Sequence, residues 1–347
     1  MGNNNINLQT AKDSKDDEFY TTYECIEEEL SHYTRHFMGK VVLCNCDDPY
    51  ESNFFKYFAI NFNVLGLKKL IATCYDGSPI AGAEMPMFFK VAKRKAKKIA
   101  YKVEISEVTD YNRDGTINLA DVQYLIQDNK NILSLLKGNG SFDSPECIEL
   151  LKEADIIVTN PPFSLFKELV SLLIKYNKKY LLIGNQNALT YKEIFPLIQN
   201  NEAWTGYRFG EMKFRVPASS QPRNTRFWID KDGQKWRSLG NAMWLTNLDI
   251  DRRHQKLLLT KAYTPEEYPK YDNYDAINVR TINDIPKDYP GIMGVPITII
   301  NRYNPEQFEL IGEANHGSDN EFDLFKPLLN GKLLFKRILI RNKQCQK

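Results

Sequence analysis

At the centre of the chain stands Asp155-Ile156-Ile157-Val158-Thr159-Asn160-Pro161-Pro162-Phe163, a short apolar run that ends in a turn with two prolines. A compact β-branched run bounded by prolines is typical of a buried strand that ends in a tight turn. Residues 164–176 then repeat apolar side chains at helical spacing, which predicts a helix with Ser164 as its N-cap. The stretch therefore predicts a strand, a turn and a helix, the unit from which α/β folds are built.

The same alternation recurs on both sides of this stretch. Short apolar runs that end in polar turns predict strands, and segments with apolar residues three and four apart predict helices. The predicted strands are 41–44, 67–74, 180–184 and 242–248, and the predicted helices are 23–37, 52–62 and 191–198. Strands that alternate with helices predict an α/β fold with a central, mostly parallel sheet.

The alternation is lost in several long segments, which mark the predicted domain organisation. The C-terminal part is rich in Asp, Tyr and Pro, and its predicted strands are 296–300 and 333–340. We divide the chain into a polar tail (1–16), an α/β domain (17–250) that carries an insertion (78–137) and a basic-aromatic loop (205–240), and a C-terminal part (251–347).

Composition excludes several classes of protein. Of 347 residues, 42% are hydrophobic and 26% are charged, which is enough for one large or two modest packed domains. Since 46 Lys and Arg face 44 Asp and Glu, the net charge of +2 excludes a general polycation that coats nucleic acid. No apolar run is long enough to span a membrane, and the six cysteines form no CxxC pair. We therefore expect a cytoplasmic protein with free thiols and no membrane partner.

The turn Asn160-Pro161-Pro162-Phe163 has the residue types needed for chemistry on an aromatic amine. The exocyclic nitrogen of adenine is a poor nucleophile because its lone pair is delocalised into the ring. Two acceptors, the Asn160 side-chain oxygen and the Pro161 carbonyl, can bind the amine hydrogens and hold the nitrogen in a more tetrahedral state. Pro162 makes the turn rigid, and the Phe163 ring can stack on a base that has left the helical stack. These four residues are the catalytic candidates.

Acidic and polar residues also follow the first two predicted strands. Their positions at strand ends suit the binding of a sulfonium methyl donor, whose amino group and ribose hydroxyls need polar partners. The alternative is that they are solvated loop residues. The candidates are Asn45, Cys46, Asp47, Asp48 and Pro49 after the first strand and Asp76 after the second.

Six motifs, taken together, resemble the EcoRI-type adenine-specific DNA methyltransferases. The resemblance covers residues 17–340 apart from the insertion, and the motifs are 17–21, 44–49, 67–70, 156–168, 244–249 and 271–278. It implies a Rossmann-like, S-adenosylmethionine-dependent fold with a DNA-recognition part, and methyl transfer to N6 of a flipped adenine in double-stranded DNA. It also implies, for some members, a cognate restriction endonuclease that acts on the same site without direct contact, with GAATTC as the expected site.

The resemblance assigns roles to individual residues. It implies that Phe19, Tyr20 and Thr21 match an N-terminal donor-binding motif, and that residues 44–49 replace a glycine-rich motif. It implies that Asn160 belongs to the catalytic motif and also lies at the donor site. Phe142 falls in the segment Gly138-Asn139-Gly140-Ser141-Phe142, where the family carries acidic residues in place of Asn139 and Ser141. The resemblance therefore implies an apolar contact from Phe142 to the donor.

Positive charge and aromatic residues are concentrated between positions 201 and 240. This segment contains eight Lys and Arg, four acidic residues and seven aromatic residues, a composition suited to phosphate contacts and base readout. The candidate DNA-binding residues are Arg208, Lys213, Arg215, Arg223, Arg226, Lys235 and Arg237. The basic run 93–98 is a second candidate, for which a solvated helix face is the alternative.

The predicted insertion contains a loop with the spacing of an EF-hand calcium site. Oxygen-bearing side chains occupy loop positions 1, 3, 5, 9 and 12, and Gly115 occupies position 6. A structural Ca²⁺ site is one interpretation, and a polar turn with local hydrogen bonds is the other. The candidate ligands are Asp110, Asn112, Asp114, Asn118 and Asp121.

Two further functions are compatible with the same motifs. One is a methyltransferase that acts on RNA adenine or on the side-chain amide of a protein glutamine, since NPP-aromatic turns serve amide nitrogens too. The other is a catalytically inactive DNA-binding relative, which the missing glycine-rich motif would permit. The basic-aromatic segment favours DNA as the substrate.

Overall fold

The computed structural model describes residues 20–46, 48–49, 52–76, 100–128, 132–218, 220–314 and 326–345. The chain divides into two compact units. The first unit comprises Met1–Ala188 and Arg208–Leu248, and the second comprises Leu189–Tyr207 and Asp249–Lys347. The second unit thus takes in residues 189–207, which the sequence prediction assigned to the α/β domain. No helix among the described residues is long and apolar enough to cross a membrane.

A large mixed sheet organises the first unit. Its strands are β1 (Tyr20–Thr21), β2 (Val41–Cys44), β3 (Lys69–Cys74), β4 (Tyr101–Ile105), β5 (Leu133–Leu135), β6 (Ile156–Thr159), β7 (Lys179–Asn185), β8 (Trp204–Arg215), β9 (Phe227–Ile229) and β10 (Lys235–Thr246). Their order is β1-β8-β10-β7-β6-β2-β3-β4-β5, with β9 paired to β10. The central strands β3, β2, β6 and β7 are parallel, whereas β4 and β10 run antiparallel to their neighbours β3 and β7. The predicted α/β fold with a parallel central sheet is confirmed.

Helices connect the parallel strands. Those of the first unit are α1 (Tyr23–Leu30), α2 (Asn53–Ile60), α3 (Phe62–Leu65), α4 (Leu119–Asp128), α5 (Pro145–Glu153) and α6 (Phe166–Lys175). Thr22 caps α1 and Ser52 caps α2, in each case by accepting backbone N–H groups that have no partner within the helix. The predicted N-cap Ser164 is wrong, because residues 163–165 form a 3₁₀ turn and α6 begins after Leu165.

Apolar side chains on both sides of the parallel strands form the core. All four residues of β2 and of β6 are buried, and α2 packs Phe54, Phe55 and Phe58 inward. The ring of Phe54 meets that of Trp244 edge-on, with centroids 5.8 Å apart. Each such side chain contributes about 1.5–3 kcal/mol through burial, so the strand ends project from a rigid base.

Two segments differ from their predicted structure. Part of the predicted insertion extends the main sheet, because β4 and β5 add antiparallel strands beside β3, while the basic run 93–98 lies outside the described residues. The predicted loop 205–240 is built mainly from the strands β8, β9 and β10. Alternating charged and aromatic residues suit strands with one exposed face, and the prediction of a loop rested on the weakened apolar periodicity of this segment.

The second unit contains a four-stranded sheet of its own. Its elements are α7 (Phe195–Gln199), β11 (Ile277–Asn278), β12 (Met293–Val295), β13 (Phe308–Ala314), the hairpin β14 (Leu328–Leu329) and β15 (Lys332–Leu333), and β16 (Arg337–Asn342). The sheet order is β11-β12-β16-β13. The predicted strand 296–300 is wrong, since Ile297–Arg302 is a 3₁₀ helix that starts after Pro296. Its apolar run is buried at Ile299 and Ile300, which produced the strand signal.

Candidate active site

The candidate site lies at the carboxyl ends of β2, β3 and β6. In a parallel sheet these ends lie on the same edge, where α/β proteins bind their ligands. The Thr159 hydroxyl at the end of β6 donates a hydrogen bond to the backbone carbonyl of Asn45, which follows β2. The turn after β2 is thereby tied to the strand that leads into the Pro-Pro turn.

Asn160 is the first residue after β6, and its side chain meets the N-terminal motif. The Asn160 Nδ2 donates to the Thr21 Oγ1 over 3.1 Å. Thr21 is 4% exposed, pairs with Phe214 across β1 and β8, and accepts at its carbonyl a hydrogen bond of 2.8 Å from the Asn53 side chain. The contact turns the nitrogen of the Asn160 amide toward Thr21 and fixes the orientation of the amide.

The rest of the Pro-Pro turn presents a backbone carbonyl and an aromatic ring. Pro161 is buried, while Pro162 and Phe163 are half-buried. The Leu165 N–H donates to the Pro162 carbonyl over 2.9 Å, which closes the 3₁₀ turn that carries Phe163. Two prolines and this hydrogen bond restrict the backbone, so the turn holds its groups in one arrangement.

The turn after β2 combines a buried amide with a left-handed backbone. Asn45 is 1% exposed, and its Oδ1 accepts no hydrogen bond within the described ranges. Cys46 has a φ of +73°, a conformation that favours glycine. Cys46 thus adopts the left-handed backbone conformation that a glycine would adopt in the glycine-rich motif that residues 44–49 replace. Asp47 lies outside the described residues, as does Phe19.

Asp48 is buried and is held by the two neighbouring strands. Its Oδ2 accepts a hydrogen bond of 3.1 Å from the Cys74 thiol and one of 2.9 Å from the Tyr101 hydroxyl. Its carbonyl accepts the Ser52 N–H at the start of α2 over 2.7 Å, and Pro49 beside it is buried. Sequence reasoning missed Cys74 and Tyr101, and only Cys74, as the last residue of a predicted strand, gave a signal.

The segment 138–142 packs against the end of β3. The Asp76 N–H donates to the Asn139 carbonyl over 2.9 Å, and Phe142 is buried. Gly140 has a φ of +77°, and a Cβ at this position would lie 2.4 Å from the Cys74 carbonyl oxygen. Only glycine fits this close approach, so the segment packs directly against the end of β3. Asp76 and Phe142, two of the predicted donor contacts, therefore lie in the same part of the fold.

Most of the predicted DNA-binding cations have partners within the first unit. Arg208 forms an ion pair of 2.9 Å with Glu28, and Arg226 one of 3.1 Å with Glu211. The Arg215 guanidinium lies 5.4 Å from the centroid of the Tyr20 ring, and the Lys235 Nζ donates to the Ser220 carbonyl over 2.8 Å.

The remaining three cations differ in exposure. Lys213 and Arg223 are exposed, and Arg237 is half-buried. Lys213 has no hydrogen bond or ion pair among the residues that the structure describes.

The predicted calcium ligands bind one another and the loop backbone. Asp121 is fully buried and accepts the N–H groups of Tyr111, Asn112 and Asn118 at 2.9–3.2 Å. Asp110 accepts two further N–H groups, including that of Gly115 at 2.8 Å. In the described part of the chain, no three His, Cys, Asp or Glu residues are grouped as a metal site. The geometry supports the polar turn and gives no support to the calcium site.

Comparisons with known proteins agree with the motifs. A family model described as "Adenine-specific methyltransferase EcoRI" matches residues 7–343. The chain is 48% identical to the Type II methyltransferase M.EcoRI of Escherichia coli, over 98% of the chain and 97% of that protein. It is 39% identical to the Type II methyltransferase M.MpnI of Mycoplasma pneumoniae, over 87% of the chain and 83% of that protein. Among solved structures, none gives a significant match.

Proposed function

The chain belongs to the EcoRI-type family of adenine-specific DNA methyltransferases, which use S-adenosylmethionine, and we propose that it methylates N6 of an adenine rotated out of duplex DNA. The observation that supports this proposal is the 3.1 Å hydrogen bond from Asn160 to Thr21. It joins the catalytic turn to the N-terminal motif at the carboxyl edge of the parallel sheet.

We propose that Asn160 and Pro161 activate the target amine. With its nitrogen bonded to Thr21, the Asn160 amide offers its oxygen as the acceptor for one N6 hydrogen, and the Pro161 carbonyl accepts the other. Binding both hydrogens shifts the nitrogen toward a tetrahedral state and directs its lone pair away from the ring. Phe163 stacks on the flipped base and keeps the amine in reach of the turn.

The residues at the strand ends fit the methyl donor. S-adenosylmethionine, when bound, supplies a sulfonium-activated methyl group. The buried Asn45 Oδ1, which has no hydrogen-bond partner within the described ranges, is suited to accept a hydrogen bond from the donor. Gly140 lets the segment 138–142 pack directly against the Cys74 carbonyl, which brings Phe142 and Asp76 to the end of β3. We assign the donor site to these residues, and we propose that Tyr20, Cys46 and Asp48 position them.

We propose that DNA contacts involve both units. In the first unit, Lys213 and Arg223 are exposed on or beside the long strands and suit phosphate contacts, whereas Arg208 and Arg226 hold those strands through ion pairs. The second unit is proposed to complete recognition. Because the relatives are named Type II methyltransferases, we propose a role in restriction-modification, with GAATTC as the site and an endonuclease of the same specificity.

Methyl transfer from labelled S-adenosylmethionine to duplex DNA, RNA and protein tests the proposal. We expect label in duplex DNA alone. Sequencing should place the label on an adenine of GAATTC and not on adenines outside that site. Label in RNA or on glutamine would replace the proposal with the corresponding alternative. A protein that binds DNA but neither binds nor consumes the donor would be the inactive relative.

A further inference from the structure

Two arginines of the second unit stand apart from the rest. The unit contains six arginines, and four of them contact other protein groups. Arg253 pairs with Asp249 at 3.3 Å, Arg341 pairs with Glu309 at 2.9 Å, and Arg252 and Arg337 donate to backbone carbonyls. Within the described ranges, neither Arg280 nor Arg302 donates a hydrogen bond or forms an ion pair.

Arg280 and Arg302 line the same pocket. This pocket has a volume of about 640 Å³ and is bordered by Thr298, by Thr281, whose hydroxyl donates to the Asp284 Oδ2 over 2.8 Å, and by apolar residues that include Leu258. No acidic residue is among those that line it. Two exposed guanidinium groups, neither of which has an ion pair with a described residue, line one concave surface and form a site for an anion.

The backbone around the pocket is held firmly by buried polar side chains. The Gln307 side chain, 2% exposed, accepts the Leu257 N–H over 2.7 Å and donates to the Leu257 carbonyl over 2.8 Å. Asn304, 1% exposed, donates to the His254 carbonyl over 2.9 Å. Arg280 follows the fully buried Val279, whose N–H donates to Gly294 over 3.0 Å. The cations thus project from fixed positions, as a preformed binding site requires.

We propose that the pocket lined by Arg280 and Arg302 binds the phosphodiester backbone of the DNA substrate. This inference rests on the proposed function and extends it to named residues of the second unit. Guanidinium groups bind phosphate oxygens in a forked geometry, and the exposed Leu258 beside them can pack against the deoxyribose. The contact is independent of base sequence, so it anchors the duplex and does not select the site.

The salt dependence of DNA affinity tests this assignment. In the full chain, Arg280→Gln combined with Arg302→Gln should reduce the slope of log K against log salt by about two, one for each lost phosphate contact. Affinity for any duplex should fall about tenfold at low salt, equally for cognate and unrelated sequences. Donor binding and the melting temperature should stay at wild-type values.

Arg341→Gln is the control for the loss of an arginine, because it removes one positive charge from the same unit at a residue that does not line the pocket. We expect its salt slope to equal that of the wild type. Equal slopes for the double variant and this control would overturn the inference while leaving the proposed function intact if the wild type still methylates DNA. Failure of the wild type to bind or methylate any duplex would overturn both.

Inorganic phosphate separates DNA from a free anion as the ligand. Titration with phosphate alone should give weak binding at best, since a duplex adds many further contacts. Tight phosphate binding that disappears in the double variant, together with an unchanged DNA slope, would assign the pocket to a free phosphate and contradict the DNA contact.

Discussion

The two units use their positive charges differently. In the first unit, Arg208 and Arg226 lie in the basic-aromatic segment 201–240, yet each is paired with a glutamate. In the second unit, Arg280 and Arg302 occur in stretches that are not notably basic, and among the described residues neither has a partner. Uncompensated charge therefore occurs outside the basic-aromatic segment as well as at Lys213 within it.

This difference shows what a charge count along the chain measures. The surplus in residues 201–240 is real, but Glu28, which neutralises Arg208, lies far away in sequence and meets it only in the folded protein. A cation that is paired with a carboxylate must give up that pair to bind a phosphate, whereas a cation without a carboxylate partner need not. The comparison therefore supports our proposal of chemistry in the first unit and of phosphate contacts at Arg280 and Arg302 in the second.

Asn160→Ala gives the strongest test of the proposal that methyl transfer and phosphate contact involve different residues. Loss of the acceptor that polarises the amine should lower kcat by about 10²–10³-fold, the range found when one preorganised hydrogen-bonding group is removed from an active site. The Kd for duplex DNA should change little, because the phosphate contacts lie elsewhere. Single-turnover methylation and fluorescence anisotropy measure the two quantities. Wild-type turnover would contradict the assigned role of Asn160.

Thr21 provides a more specific test of the same site. Thr21→Val keeps the side-chain shape but cannot bond the Asn160 amide, and we expect kcat to fall about tenfold, the effect of one lost hydrogen bond of about 1.4 kcal/mol. Thr21→Ser retains the hydroxyl and should restore most of the activity. KM for DNA should not change in either variant. Equal activity of the two variants would show that Thr21 only packs.

The part of the site that sequence predicts well is the part fixed by parallel strand ends. The predicted strand 155–159 is observed as Ile156–Thr159, and the turn Asn160–Phe163 follows it as predicted. Polar residues after neighbouring parallel strands must meet at one edge, so the proximity of Asn45 to Thr159 follows from topology.

The parts that were missed depend on contacts between distant segments. Tyr101 reaches Asp48 only because β4 pairs with β3 in antiparallel fashion, and nothing in the pattern of the predicted insertion indicates that pairing. The 3₁₀ helix 297–302 resembles a strand in composition, since its buried isoleucines suit either structure. Tertiary packing decided both cases.

Variants of Arg208 and Lys213 test, within the first unit, whether paired and unpaired cations differ in DNA binding. Arg208→Gln removes an ion pair between largely exposed side chains, so we expect a loss of at most about 1 kcal/mol in stability and little change in the salt dependence of DNA binding. Lys213→Gln should leave stability unchanged and lower the salt slope by about one. Thermal melting and anisotropy at several salt concentrations check these outcomes. A lower salt slope of DNA binding for Arg208→Gln than for Lys213→Gln would contradict this distinction and favour the sequence-based prediction that Arg208 binds DNA.

The smallest expected effect concerns a carboxyl of the second unit. Burial raises the pKa of Glu313 on β13 to about 7, with the nearby Lys336 opposing the shift. Between the ordinary pKa of a glutamate and pH 7, the unfolded chain is ionised while the folded chain keeps the proton, so stability falls as the pH rises through this window. Glu313→Gln removes this loss and should raise the melting temperature more at pH 8 than at pH 4.5.

The magnitude at pH 8 should stay below about 1 kcal/mol, because Glu313 is partly exposed and solvent screens its charge. Glu309→Gln is the matched control, since Glu309 lies on the same strand and is paired with Arg341 at 2.9 Å. It should show no stabilisation that grows with pH. If Glu313→Gln gave the same change at both pH values, burial would not set the titration of this carboxyl.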